Sequence, residues 1–413
     1  MKVIVFSIML GLLLNFYGSA QTLENYFQIA AESNPGLKAK YKAFEAAMQK
    51  IPQANALADP NLSFGYFISP VETRVGPQRM RFSLTQMFPW FGTLRTQGDM
   101  STVLAEAKYQ EFLDARNMLY SQISAVYYPL LETNELIEIE EENLQILTTY
   151  KSIATSKFEN GIGSLADALR VEIMKTSSGT NLEVLNQKIQ SSSAWLNSLL
   201  GRAYDSPIEF AERLVIPNSP TQVSLDSIQN NPLLENINLK IKASELSKEL
   251  ATKQGLPKLG AGVDYVIVDE RKDMTLPDNG KNVFMPMVTM SIPIFRGKYD
   301  GAKKEAELLA ESYQAEKQNI SNQLYGSFYR FKVEMEIQLD LIASYDRQIQ
   351  TSEQTLELLY QAYSNSGKDF EEVLRLQQQL LEYKKMKAKA AVAFYTAEAQ
   401  LNYLTAKEYY YEK

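Results

Sequence analysis

Two stretches of this chain, Thr93 to about Phe158 and Lys298 to about Tyr363, carry helical periodicity for about sixty-six residues each. At about 1.5 Å per residue, each would be a rod of about 100 Å if unbroken. A globular helix averages about 11–12 residues, so a compact domain has no use for one such rod, let alone two. In the first run, Val103, Ala107, Leu113, Leu119, Ile123, Val126 and Leu130 recur mostly at spacings of three, four and seven. Pro129 lies inside that run and predicts a kink or local irregularity. The second run contains no proline.

The two rods belong to a longer duplication. Phe158 and Tyr363, Ser164 and Asp369, Leu165 and Phe370, Leu169 and Leu374, and Arg170 and Arg375 are all 205 residues apart. Pro89 and Pro293 are 204 apart, and Pro35 and Pro232 are 197 apart. The drift falls around the loops, where insertions are tolerated. The pattern predicts a first repeat over 21–220 and a second over 221–413. Each opens with a helix after an Asn-Pro pair (Asn34-Pro35, Asn231-Pro232), the first to about Leu57 with a bend at Pro52, the second over about 231–254. Each closes with a returning helix, about 164–200 and about 369–408. Arg202 to Val223 reads as a Pro-rich connector with one possible short strand.

Between opening helix and rod the period changes from 3.6 to 2. Strands are predicted at about 61–68 and 79–88, joined by a loop over Ser69–Gln78, and at about 259–268 and 283–292. Leu62, Phe64, Tyr66 and Ile68 share one face; Met80, Phe82 and Leu84 alternate with Arg81, Ser83 and Thr85. Leu259, Ala261, Val263, Tyr265 and Ile267 alternate with Gly260, Gly262 and Asp264. Pro286 inside the fourth strand predicts a bulge. Four strands cannot close a barrel, whereas two copies would supply eight and three copies twelve.

Composition narrows the chemistry. The chain has 413 residues, no cysteine and no histidine, which excludes disulfides, thiolate chemistry, Cys/His zinc sites and histidine acid–base catalysis. A net charge of −7 argues against a nucleic-acid partner. No Gly-rich phosphate loop follows a strand, and the acidic run Glu140-Glu141-Glu142 reads as a solvated helix face. No enzyme activity, cofactor or metal site is predicted. Met80, Met87, Met274, Met285, Met287 and Met290 cluster near the strands; they read as wall-filling side chains, with a soft-metal relay as the alternative. Lys2, the apolar Val3–Leu14 and small Gly18-Ser19-Ala20 predict a signal peptide over 1–20.

With the signal, the Asn-Pro-started helices and the paired hairpins, the junctions FPWFG and IPIFRG and the turns FENGIGSLADALR and YSNSGKDFEEVLR complete a recognisable order. Over essentially the whole mature chain it resembles the TolC-family outer-membrane efflux channels. The resemblance implies an α+β membrane protein of duplicated half-chains. A long α-helical coiled-coil barrel in the periplasm would continue into a twelve-stranded trimeric outer-membrane β-barrel, to which each chain gives two β-hairpins. It implies a passive exit duct of a tripartite system in the outer membrane of a Gram-negative-type cell. Its partners would be two further copies, a periplasmic adaptor, an inner-membrane transporter and outer-membrane lipid.

The same resemblance places the adaptor-contacting tip at Phe158, Gly161, Gly163, Ser164, Leu165 and Leu169, and at Tyr363, Gly367, Phe370 and Leu374. Asp167, Asp369 and Glu372 become pore-gate candidates. From the residues alone, Ser164 and Asp369 read equally as helix caps. The alternative for the whole chain is a soluble or surface coiled-coil interaction protein with a small β-cap.

Overall fold

The computed structural model describes residues 22–210, 216–217, 223–366 and 370–407. The predicted signal peptide, Gly367 and Asp369 lie outside the described residues. The elements run α1 (Leu23–Ser33), α2 (Pro35–Met48), α3 (Lys50–Asn55), β1 (Asn61–Thr73), β2 (Gly76–Phe88), α4 (Thr93–Glu159) and α5 (Leu165–Leu200). After a short 3-10 helix (Leu225–Asn230) come α6 (Pro232–Gln254), β3 (Lys258–Val268), β4 (Val283–Ser291), α7 (Gly297–Ser366) and α8 (Phe370–Leu404). The order helix, hairpin, long helix, returning helix is therefore traversed twice. No helix among the described residues is long and apolar enough to cross a membrane.

Several predicted boundaries move, each for a local reason. The break in the opening helix falls at Gln49 rather than at Pro52, which sits in the first turn of α3 where its missing N–H costs no intrahelical bond. The predicted loop over 69–78 is mostly strand. Val71–Thr73 pair with Gly76–Gln78, and only Phe67–Pro70 are set aside at a register shift. Pro70, without an N–H, lies in that irregularity. Pro286 makes no bulge: the β3–β4 register runs unbroken through Val263 opposite Pro286. It is tolerated because β4 is an edge strand of the chain's own sheet. Pro129 does not end α4, which is continuous for 67 residues. The described residues of the 202–223 connector hold no strand.

The chain forms two compact units: residues up to Pro35 with Asn117–Ser224 and Ser327 onward, and Gly36–Arg116 with Leu225–Gly326. The second unit holds the sheet, antiparallel in the order β1-β2-β3-β4. Its register puts Leu62, Leu84, Val263 and Pro286 in one row and Phe64, Phe82, Tyr265 and Phe284 in another on the same face. The intervening row, Ser63, Ser83, Asp264 and Met285, points to the opposite face. Below the sheet, Val103 and Ala107 of α4 pack against Leu239 and Ala243 of α6. Tyr41 and Phe44 of α2 meet Phe112 and Tyr109 at 5.3 and 5.2 Å.

The first unit is anchored by α1. Tyr26 and Phe27 are fully buried, and Phe27 stacks on Tyr120 at 4.6 Å. The Tyr26 hydroxyl donates to the Glu209 carbonyl at 3.1 Å and accepts from its N–H at 3.0 Å, closing a stretch that no ladder serves. The Asn34 amide donates to the Leu199 carbonyl at 2.8 Å, tying the start of α2 to the end of α5. Tyr26→Phe strands both Glu209 backbone groups and is expected to cost about 1–3 kcal/mol. A denaturant midpoint unchanged from wild type would count against this anchor.

Candidate functional site

The turn after α4 is built by its backbone. Ile162 N–H donates to the Lys157 carbonyl and Gly161 N–H to that of Phe158, both at 3.0 Å, with Gly161 at φ +75°. This pair of bonds is a Schellman closure, which demands a left-handed residue after the helix. Gly163 is needed for a different reason. A Cβ there would lie 2.9 Å from the Lys157 Cβ and 3.2 Å from the Lys157 carbonyl carbon. Ser164 then caps α5, its hydroxyl accepting from Ala166 N–H at 3.1 Å. Asp167 follows in the first turn, where a carboxylate complements the helix N-terminus.

The two turns, alike in sequence, present opposite surfaces. Phe158, Ile162, Leu165 and Leu169 are 44, 63, 49 and 56% exposed, and Ile173 one turn further on is 71% exposed. Tyr363, Phe370 and Leu374 are only 1, 3 and 5% exposed. Tyr363 and Phe370 stack at 4.3 Å, and Phe370 also meets the edge of Tyr150 at 6.0 Å. With Leu147, Val171 and Val373 they form one buried cluster. The second-half residues assigned to adaptor contact are thus packing residues in this protomer. Their rings and methyls are already spent on the chain's own helices. Of the gate candidates, Asp167 is half-buried, and its charge adds to burial in pushing the Tyr363 phenol up. Glu372 pairs with Arg375 of its own helix at 2.5 Å.

A clamp that the sequence reading missed holds the turns together. The Lys157 ammonium, in the last turn of α4, donates to the Tyr363 and Ser364 carbonyls at 3.0 and 3.2 Å. It also lies 4.7 Å above the Tyr363 ring. The last carbonyls of a helix have no intrahelical donors, and α7 carries no basic residue in its own last turn. Lys157 supplies from α4 what α7 lacks. Arg170 of α5 meets Glu371 of α8 at 2.9 Å. Lys151 of α4 holds Glu172 of α5 at 2.5 Å, and that hydrogen bond keeps the Glu172 carboxyl below its usual range.

Further along the bundle, Glu140 departs from the solvated-face reading. It is 1% exposed and accepts from Ser178 at 2.6 Å, Asn181 at 3.2 Å and Lys385 at 2.6 Å. Asn143 extends the network to Ser178 and accepts from Gln377 at 3.2 Å. Burial of a carboxylate is tolerable because three donors from α5 and α8 meet it; Glu141 and Glu142 remain exposed.

In the other unit, Arg81 donates to Asp264 across the polar face of the sheet; Asp264 is fully buried. The methionines do not converge. Register puts Met80 and Met290 on the apolar face, Met87, Met285 and Met287 on the other, and Met274 between β3 and β4. Among the described residues, no group of three or more acidic side chains is placed to hold a metal ion.

Solved structures share this arrangement. The OprN outer-membrane channel superposes with a TM-score of 0.75 over 94% of this chain and 90% of that chain, at 15% identity. VceC, an outer membrane protein of Vibrio cholerae, gives 0.75 over 93% and 95% at 16% identity. The chain has the fold of these channels. CmeC, an outer membrane channel of Campylobacter jejuni, gives 0.74 over 94% and 86% at 15% identity. At the level of sequence, no family model and no curated protein matches. The similarity of this channel fold therefore lies in the order and geometry of elements rather than in retained residues.

Replacing Lys157 by Met is expected to speed amide exchange in the last turn of α7 while leaving the global unfolding midpoint nearly unchanged; equal exchange rates would reject the clamp. Gly163→Val is expected to cost about 1–3 kcal/mol through overpacking against Lys157. Proteolysis between residues 157 and 165 reads it directly.

Proposed function

We propose that three copies of this chain assemble into a passive exit duct of the outer membrane, joined by a periplasmic adaptor to an inner-membrane transporter. The observation that carries this reading is the sheet. One face presents Leu62, Phe64, Leu84, Phe284 and Val288 at 46–82% exposure, the other presents Ser63, Ser83, Thr85 and the Arg81–Asp264 pair, and among the described residues neither edge strand has a second strand partner. Lipid tolerates strands only when every backbone group is paired, so open edges must meet a second copy. A face that is apolar outward and polar inward is the pattern of a transmembrane barrel.

Dimensions agree. The 13 residues of β2 span roughly 43 Å, which at a tilt of about 40° crosses roughly 33 Å. Trp90, Phe91, Ile292, Ile294 and Phe295 are exposed at the strand-to-helix junctions, where an aromatic girdle would sit at the headgroups. A soluble protein with a small β-cap would hold this apolar face in water. Three copies, giving twelve strands, follow from the resemblance to the TolC family.

For the tip we assign adaptor contact to the exposed stripe of Phe158, Leu165 and Leu169, with Gly161, Gly163 and Ser164 shaping the turn that carries it. Opening would part the α4–α5 turn from the α7–α8 turn, so the Lys157 and Arg170–Glu371 contacts are what must break. Asp167, whose charge is felt by Tyr363 across that seam, remains a gate candidate, with Asp369 and Glu372 as the candidates of the second turn.

On the lipid face, Leu84→Arg is expected to cost about 2–4 kcal/mol of barrel stability and to reduce heat-modifiable trimers in the outer-membrane fraction. Thr85→Arg, one residue away on the inner face, leaves them in place. Recovery of wild-type protein as a detergent-free monomer would sink the duct reading. At the tip, cells carrying Leu165→Asp with Leu169→Asp become as sensitive to exported compounds as cells without the protein, with trimers at normal abundance. Unaltered resistance would remove the stripe from the docking surface.

A further inference from the structure

We infer that a cleft between α4, α7 and α8 binds a small amphipathic organic cation, an ammonium carried on a flat aromatic or alkyl body. The cleft holds about 430 Å3, within the range of small-molecule sites, and lies wholly inside the first unit. Its apolar wall is Ile139, Ile146, Leu356 and Leu380, together with Tyr150 and Tyr360. The two tyrosine rings stack at 5.7 Å and 20° from parallel. Burial pushes the Tyr150 phenol up to about 12, so it stays neutral and adds no negative charge of its own.

Charge and hydrogen bonding select the occupant's head. Three carboxylates, Glu142, Glu353 and Glu357, line the cleft against one ammonium, Lys384. Lys384 is already divided between Glu142 and Glu353, at 3.3 and 3.5 Å. Among the described residues, Glu357 is met only by the uncharged Gln361 amide, at 3.5 Å. Gln377, a lining residue 3% exposed, spends its amide N–H on Asn143, and its Oε1 is buried with no hydrogen-bond donor among the described residues. A ligand ammonium would place its charge towards Glu357 and slide its body along the tyrosines. An anion would face a surplus of carboxylates, and a neutral body would leave Glu357 without a counter-charge. This inference does not rest on the duct reading, since a soluble protein with the same bundle would present the same cleft.

The absence of native cysteine makes a clean test, because Thr149→Cys places a single thiol among the lining residues. The purified assembled protein is titrated with the naphthalen-1-ylmethylammonium ion, followed by ligand fluorescence against protein-free controls. Saturable binding of one ion per chain is expected, with 1-naphthalenemethanol at least about tenfold weaker and 1-naphthoate undetectable. Glu357→Gln, at an exposed site that leaves folding alone, lowers affinity about three- to fivefold, as an exposed ion pair would. Leu381→Trp, which fills the cleft, abolishes binding. The ammonium also slows maleimide labelling of Thr149→Cys in proportion to its occupancy. No saturable binding, equal binding of the alcohol, or binding indifferent to Glu357→Gln would overturn the inference. So would a Thr149→Cys thiol inert without ligand, which would mean that a neighbouring protein segment covers the cleft.

Discussion

An antiparallel sheet with two open edges is an unfinished object, and most of this molecule follows from that. Each edge strand presents backbone donors and acceptors that must be paired before the sheet can enter hydrocarbon. The chain cannot pair them itself, because four strands are too few to curl into a closed ring. In the duct proposed above, copies of the chain would close the ring, and the duplication gives each copy two hairpins. Each half contributes one hairpin and one long helix that continues from it.

The same duplication is broken at the two turns. Both turns open with matching aromatic residues, Phe158 and Tyr363, and carry leucine or phenylalanine at matching places. One set faces out and the other is buried against Tyr150, Leu147 and Val171. The second half became the packing surface, and the first was left free.

What was legible in the sequence is what repeats over short distances. Alternation in β2 and β3 placed Phe82, Leu84, Val263 and Tyr265 on the shared face that the register displays. The cap Ser164 acts within two residues of itself, so composition and position were enough. Contacts between residues far apart in the chain were not legible. Nothing local marks Glu140 as buried, because the donors that tame it, Ser178, Asn181 and Lys385, arrive on two other helices. Likewise Tyr363 and Phe370 look like a tip motif until Tyr150 is folded against them. The strand content of 69–78 was obscured by Pro70, a residue that normally ends a strand but here stands aside at the register shift.

The lysine that caps α7 from α4 has a consequence for how such a structure moves. In the last turn of α7 the Tyr363 and Ser364 carbonyls accept from a lysine that belongs to another element. Parting the two elements does not merely swing a stiff arm. It returns those carbonyls to water, and each protein hydrogen bond given up is largely replaced by one to solvent, at a net loss of about 0.5–1.5 kcal/mol. If the seam of the proposed duct opened, the last turn of α7 would lose its Lys157 donor as it parted from α4, so a long stave would carry its own soft joint.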